Sequence, residues 1–492
     1  MAVDYDIVII GGSLAGRYAA AAAAQLKATV ALVEPISTAQ GSGGEFLSSP
    51  LATNLLPHCF SHIGQHSEQL VSASQFGIHI NSTDSAHNCQ YFEFAQAYQY
   101  AQNVVSNLQE QNSPALAAAA GVDFIQGNGQ FESKPSLGFV VNGRRLLARS
   151  YLIATNSRFA IPEIEGLQAE CLTPTQVWQS LTSQTPPQRW VILGSDPTGC
   201  QIAQTLARFG LDVTLIARSH ILPKEDPEIA QLMQAILEAE GVRVLTCKSV
   251  TQVKRIDHKK WIQAGNEALE FDEVLLCAGY MPDFADLNLK AVGVKLHKHR
   301  LLLNQKLQTT NPRIYACGDA ISGYHFANLA IYEASIALKN ALFFPRFKVD
   351  YRVIPWVIFS EPQVARVGLT EVQARRIYNR DVLVLQQHFK SVAAAQIKGE
   401  ITGVCKLIVR RNGMILGAAI VGSQAGELIN VIALAIASRL KVDAIATLAP
   451  VYPSFSEILQ QTAAQYRQAK LNNNPNLQNF LEGFFSLRRS YF

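Results

Sequence analysis

At 492 residues the chain is too long for one hydrophobic core and requires several domains. With 48% hydrophobic and 16% charged residues the composition is globular, and a net charge of +4 is too small to argue for a nucleic-acid partner. The eight cysteines (59, 89, 171, 200, 247, 277, 317 and 405) are scattered without a CxxC or close pair, which argues against a disulfide framework or a cysteine zinc site and suits a reducing compartment. No signal peptide and no apolar run of about 18 residues is visible, so the expectation is a cytoplasmic protein without a spanning helix.

The chain opens with an apolar β-branched run, Ile7 to Ile10, followed by Gly11, Gly12, Ser13 and Gly16. An Ala-rich helix (Tyr18 to Leu26) and a second β-branched strand (Thr29 to Val33) come next, ending in Glu34, 23 residues after Gly11. Strand, glycine turn, helix, strand and acid make a dinucleotide-binding βαβ unit, in which the turn brings a diphosphate to helix N–H groups and Glu34 would accept from a ribose. The pattern is G-x-S-x-x-G, with Ser13 at the middle glycine. Glycines 43 and 44 lie in a loop, a helix is predicted from about Leu51, and another over 90–110. Val122 to Phe131 reads as a strand with a glycine turn, and Tyr151 to Thr155 as a short buried strand.

A second βαβ unit begins at Trp190, with the turn Gly194-Ser195-Asp196-Pro197-Thr198-Gly199 and a strand ending in Ala217-Arg218. An acidic helix (Glu225 to Glu240) and strands at Val242–Leu245, Val274–Gly279 and Asn311–Asp319 follow, then a helix from about Asn328 to Ala341. From Asp350 the pattern changes to α+β, with strands around Val382–Phe389, Val404–Val409 and Gly417–Val421, a helix from Glu427 to Leu440, and a last folded helix after Glu457. A linker (NNNPN) leads to a tail carrying Phe480, Phe484, Phe485, Leu487, Arg488 and Arg489. The tail reads as an amphipathic helix for a membrane surface or a partner, or as a helix packed on its own dimer.

Two such units with YACGDA (315–320), the spacing from there to Glu333, FSEPQVARVGLTE (359–371), ILGAAIVGSQAGELI (415–429) and YPSFSE (452–457) resemble the flavoprotein disulfide reductases, or pyridine nucleotide-disulfide oxidoreductases. LARFGLDVTLIARS (206–219) is most similar to the mercuric reductases of that family. The resemblance implies an α/β fold: an FAD domain (1–159 and 284–349) split by an NAD(P)-type domain (160–283), then a dimerisation domain (350–470) and a tail (471–492). It implies a homodimer with FAD along Gly11, Ser13, Gly16 and Glu34, Gly129 at the adenine, Asp319 at the ribityl or phosphate region, and Phe326, Ala327 and Asn328 at the flavin pyrimidine edge.

The sequence departs from that family where its chemistry lies. Phe46 and Leu51 stand where the family has two redox cysteines spaced C-x4-C, and neither forms a thiolate or a disulfide. Cys59 lies about 12 Å further along a helix. The family's lysine is Leu55 and its glutamate partner is Gln201, so both members of an ion pair are lost together; losing one alone would strand a charge. The aromatic gate position is Pro197, and Glu45 replaces the usual threonine. The histidine of the C-terminal motif is Tyr452, with its partner kept as Glu457. Asp196 replaces the middle glycine of the second turn, where a carboxylate beside a phosphate at about 4 Å and effective ε near 20 repels by up to roughly 4 kcal/mol. Arg218 is the feature that would favour a 2′-phosphate, a surface arginine being the equal alternative; Gly194, Gly199 and Arg218 are therefore the candidate NADPH residues, with Asp196 weighing against any NAD(P)H.

The expected function is an FAD-dependent oxidoreductase without a dithiol relay, neither a disulfide reductase nor a mercuric reductase. Electrons would come from NADPH or a protein donor such as ferredoxin and pass to a quinone-like or protein acceptor, with Tyr452 and Glu457 orienting it or supplying a proton. The alternative is a non-catalytic flavin-binding regulatory or interaction protein.

Overall fold

The computed structural model describes residues 3–36, 50–72, 93–110, 113–257, 259–321, 325–472 and 475–490. They form two compact units, Met1–Ile221 with Leu237–Val349, and Leu222–Ile236 with Asp350–Phe492.

Unit 1 opens with β1 (Tyr5–Ile10), α1 (Leu14–Gln25) and β2 (Val30–Glu34). The strands are parallel, with Ile7 beside Val30 and Ile10 beside Val33. Pairing on the other side, with Val122–Gln126, carries β2 through Glu34, which lies beside Gln126, one residue beyond the apolar run. Next come α2 (Pro50–Ser72), α3 (Phe94–Glu110), β3 (Val122–Gln126) and β4 (Ala148–Ile153). The second βαβ unit is β5 (Arg189–Leu193), α4 (Pro197–Arg208) and β6 (Asp212–Ile216); after it come α5 (Pro227–Ala239), whose residues up to Ile236 belong to unit 2, and then β7 (Arg243–Leu245) and β8 (Glu273–Leu276) of unit 1. The chain then gives β9 (Ile314–Ala316) and α6 (Ala327–Leu342).

Two five-stranded parallel sheets result. The first has the order β9-β4-β1-β2-β3, and the second β7-β6-β5-β8 with Cys171–Leu172 at its edge. Parallel strands covered on both faces are apolar along their whole length, which is why β1, β4 and β5 read as continuous runs. On one face of the first sheet the small side chains of Ala19 and Ala23 from α1 share a core with Ala334 and Ala337 from α6. On the other face Phe131, Phe139 and Tyr151 pack edge to face. This α/β arrangement puts both glycine turns at the carboxyl ends of their strands, the usual place for ligands in such sheets.

Unit 2 is a five-stranded antiparallel sheet, β10 (Trp356–Ile358), β11 (Gln363–Gly368), β12 (Val382–His388), β13 (Val404–Arg410) and β14 (Ile415–Gly422), in the order β10-β11-β14-β13-β12. The helices α7 (Ala425–Ala437) and α8 (Glu457–Asn472) cover it over a core that includes Leu407, Ile420, Ile429 and Ile458. Residues 222–236 join this unit through charge. The Lys406 ammonium, only 2% exposed, pairs with Asp226 at 3.3 Å, Glu371 at 2.7 Å and Glu228, and Asp226 also accepts from the Glu371 N–H at 3.0 Å. The tail forms α9 (Pro475–Ser490), which has no buried residue.

Candidate functional site

The first glycine turn is closed by steric necessity. Gly11 has φ +114°, and a Cβ there would lie 2.3 Å from the Ala154 carbonyl oxygen; one on Gly16 would lie 2.1 Å from the Gly11 oxygen. Side chains are therefore excluded and the backbone is left open to a ligand. Ser13 is the N-cap of α1: its Oγ accepts from the Gly16 N–H at 3.2 Å, so the helix end is capped by a neutral group. Glu34 ends β2 as the pattern requires, but its carboxylate is gripped by Arg17 at 2.7 and 2.9 Å. Arg17 also donates to the Gly12 carbonyl at 3.1 Å. The Arg17 clasp had no signal in the local pattern.

Beside this turn, Thr155 Oγ1 and Asn156 Oδ1 are buried without a hydrogen-bond partner. Buried polar atoms in that state ask for a ligand or water. Glu333, four per cent exposed, accepts from the Gly318 N–H at 2.8 Å and so holds the bend that presents Asp319. Phe326 is the N-cap of α6 and gives it no side-chain cap bond, leaving Ala327 and Asn328 in the first turn at the positive end of the helix. Gly129 has a packing reason as well: a Cβ would lie 2.5 Å from the Phe139 ring.

Four residues unforeseen in the sequence, His325, Ser157, Tyr280 and Phe159, complete the site. His325 Nδ1 lies 3.0 Å from Asp319 Oδ1 and 3.4 Å from Ser157 Oγ. Tyr280 stacks on the His325 ring at 3.8 Å and on Phe159 at 4.7 Å. Burial, reinforced by the charges of Asp196 and Asp319, holds the Tyr280 phenol well above the usual tyrosine value.

The second turn is built alike and charged differently. Gly194 has φ +112°, and a Cβ would lie 1.9 Å from the Cys277 oxygen. Asp196 is the N-cap of α4, its Oδ1 accepting from the Gly199 N–H at 2.8 Å, and Pro197 at the first helical position has no N–H to offer. A carboxylate thus lies at the helix end where a pyrophosphate would need positive potential. Arg218 is exposed beyond the end of β6.

Leu51 and Leu55 are half-buried one turn apart on α2. Gln201, buried on α4, donates through Nε2 to the Pro57 carbonyl at 3.1 Å and meets His58 Nδ1 at 3.0 Å. Desolvation holds the His58 imidazole down at about 4, so it stays neutral and accepts at Nδ1. Glu45 and Phe46 lie outside the described residues. In unit 2, Tyr452 is 75% exposed. Glu457 Oε1 accepts from the Ser454 N–H at 2.9 Å, with no hydrogen bond joining it to Tyr452. No group of three metal-ligating side chains forms among the described residues, and no helix there is long and apolar enough to cross a membrane. On α9, Phe480, Phe484, Phe485 and Leu487 are exposed.

The chain matches the family model described as pyridine nucleotide-disulphide oxidoreductase over residues 5–334, and the dimerisation domain of that family over residues 354–463. It is 32% identical to a mercuric reductase of Staphylococcus aureus over 471 residues, covering 94% of this chain and 82% of that protein. It is 27% identical to a dihydrolipoyl dehydrogenase of Synechocystis over 480 residues, covering 93% and 98%. Among solved structures, the Cu(II) complex of the HOCl-induced flavoprotein disulfide reductase RclA from Escherichia coli superposes with TM-score 0.77 at 25% identity, covering 94% and 100% of the two chains. LpdA from Mycobacterium tuberculosis, at 24% identity and TM-score 0.81 over 93% and 99%, shares the fold.

Proposed function

The chain belongs to the pyridine nucleotide-disulphide oxidoreductase family, and from that premise we propose that it is an FAD-dependent oxidoreductase working without a cysteine relay, whose electrons come from a protein donor such as ferredoxin rather than readily from NADPH. Proteins of the family use FAD with NAD(P)H as donor. The contrast between the two turns carries the reading: a neutral cap and an open cradle in the first, a carboxylate cap in the second.

The residues of the first turn fit FAD. Gly11, Ser13 and Gly16 would hold its diphosphate, Glu34 and Arg17 its ribose, and Gly129 would face the adenine. Asp319 and the orphaned Thr155 and Asn156 oxygens lie ready for its polar groups. FAD, when bound, supplies hydride and single-electron transfer, so no thiol is required. The α6 end at Phe326, Ala327 and Asn328 would favour negative charge there. His325, 3.0 Å from Asp319 and packed against the Tyr280 ring, would be the group placed to pass a proton at this site. Leu51 and Leu55 present hydrocarbon where thiol and ammonium stand in the family, which suits a flat acceptor such as a quinone. Exposed Tyr452 would act at a flavin site from the second subunit of a homodimer, which the dimerisation domain supports. The aromatic face of α9 supports a peripheral contact with a partner or a membrane surface.

The test is anaerobic titration of the purified flavoprotein, followed by flavin absorbance. Rapid bleaching by reduced ferredoxin with slow or absent bleaching by NADPH and NADH is expected. Rapid bleaching by NADPH would overturn the choice of donor. A flavoprotein that no donor bleaches would leave the non-catalytic reading, and a colourless protein unable to take up FAD would overturn both.

A further inference from the structure

The outer face of α2 carries a pair of imidazoles that the flavin site does not use. His62 and His66 are four residues apart, both exposed, and their Nε2 atoms converge to 3.2 Å with the rings nearly perpendicular at 74°. Side chains at this spacing lie over one another on a helix, so the backbone sets their separation before any ligand arrives. We propose that His62 and His66 form a chelating site for a divalent transition-metal cation of the copper and zinc class.

The distance supports a chelate. Two zinc–nitrogen bonds of about 2.0–2.1 Å at a tetrahedral angle place the nitrogens roughly 3.3–3.4 Å apart. Adjacent positions of a tetragonal copper(II) centre with bonds near 2.0 Å place them about 2.8–2.9 Å apart. The observed 3.2 Å lies between the two, so either cation needs shifts of only a few tenths of an ångström. Imidazole suits these metals, whereas magnesium and calcium prefer oxygen. Exposure lets the cation reach both rings without opening the fold and leaves the remaining coordination positions to water. Cys59, three residues before His62, is not a third ligand, because no group of three metal-ligating side chains forms among the described residues. Nor is His58, whose Nδ1 faces Gln201. A site with two protein ligands binds copper(II) more tightly than zinc(II), following the usual order of affinities. The competing account is a plain hydrogen bond, with one ring donating Nε2–H to the lone pair of the other. The two accounts share the 3.2 Å separation, and a chelated cation would replace the hydrogen bond as each ring turns its Nε2 lone pair onto the metal.

The test uses the full-length flavoprotein with any histidine tag removed, stripped with EDTA and desalted. It is titrated with copper(II), zinc(II) and magnesium(II) chloride by calorimetry, and copper(II) coordination is read by electron paramagnetic resonance. The expected result is a tightest copper(II) event of one ion per chain with nitrogen hyperfine structure, weaker zinc(II) binding and no magnesium(II) binding. His62→Ala and His66→Ala should each weaken that event at least tenfold, and the double variant little further. Flavin content and circular dichroism, unchanged in these exposed variants, confirm that the fold is intact. Copper(II) affinity within twofold of the parent in both variants, or a parent that binds no copper(II), would overturn the proposal.

Discussion

Ser13 and Asp196 hold the same position in their two βαβ units and make the same hydrogen bond, Ser13 Oγ from the Gly16 N–H at 3.2 Å and Asp196 Oδ1 from the Gly199 N–H at 2.8 Å. They differ by one charge at a helix end suited to an anion. Asp196→Ser copies the first turn into the second, keeping the cap and removing the carboxylate. The expected outcome is at least a tenfold faster bleaching of the flavin by NADPH in anaerobic stopped flow, with ferredoxin-driven reduction unchanged. An unchanged NADPH rate would show that the carboxylate is not the barrier.

Gly16→Ala should yield a protein that purifies with little or no flavin. The added Cβ would lie 2.1 Å from the Gly11 carbonyl oxygen, which cannot move without displacing the first turn. Gly483→Ala on α9 is the control, since nothing lies within 4 Å of the new carbon. That variant should keep its flavin and gain up to about 1 kcal/mol of helix stability. The flavin-to-protein absorbance ratio decides the first point and thermal unfolding the second.

Lys406→Met should destabilise unit 2 by about 3–5 kcal/mol, because it strands the buried Asp226 carboxylate, 3% exposed, and removes the partner of the part-exposed Glu371 and Glu228. Glu371→Gln removes one of the three acids and should cost less. Denaturant unfolding measures both. A Lys406→Met loss below about 1 kcal/mol would mean that water reaches the acids and the cluster contributes little.

His58 and Glu225 should tilt the pH dependence of stability in opposite directions. The folded-state value for His58 is lowered to about 4. Below the unfolded value near 6.5 the unfolded chain takes up a proton that the folded chain does not. The contribution is complete above about 6.5 and is lost as pH falls towards 4. His58→Gln keeps an acceptor for Gln201 and has no such proton, so its stability relative to the parent should rise by about 1–3 kcal/mol between pH 7 and 4.5. A constant difference would place His58 in water.

Glu225 is the reverse case. Burial pushes its carboxyl up to about 7, against the opposing pull of Arg366, whose guanidinium lies 2.7 Å away. Between about 4.5 and 7 the folded chain holds a proton that the unfolded chain has released, so this group removes stability as pH rises through that window. Glu225→Gln should therefore gain on the parent from pH 5 to pH 8. A variant whose stability relative to the parent stays constant or falls over that range would contradict the raised value.

Much of the fold was legible because its signals are local. The apolar β-branched runs at Ile7–Ile10 and Trp190–Leu193, the spacing of Gly11, Ser13 and Gly16, and the acid at Glu34 all act within about thirty residues. They specify strand, turn and helix whatever the rest of the chain does. Boundaries moved by one to four residues where the ladder or a cap overrode the pattern: α1 begins at Leu14 behind its Ser13 cap rather than at Tyr18, and α7 spans 425–437 rather than 427–440. Asp196 was read as a charge beside a phosphate. Its hydrogen bond to Gly199 adds that the carboxylate is held at the helix end.

By itself the sequence determined that two βαβ units exist, that the first keeps the residues of a flavin fold, and that no C-x4-C pair stands after Gly43-Gly44. Only the tertiary structure decided what those residues touch. It put Arg17 on Glu34, His325 between Asp319 and Tyr280, Gln201 on His58 across 143 positions of chain, and Lys406 among the acids of residues 226–228. The division has a physical cause. Propensity, capping and periodicity are properties of neighbouring residues, whereas a buried polar contact exists only where the sheet order brings distant strands' ends together, and nothing in the local pattern of either partner records the other.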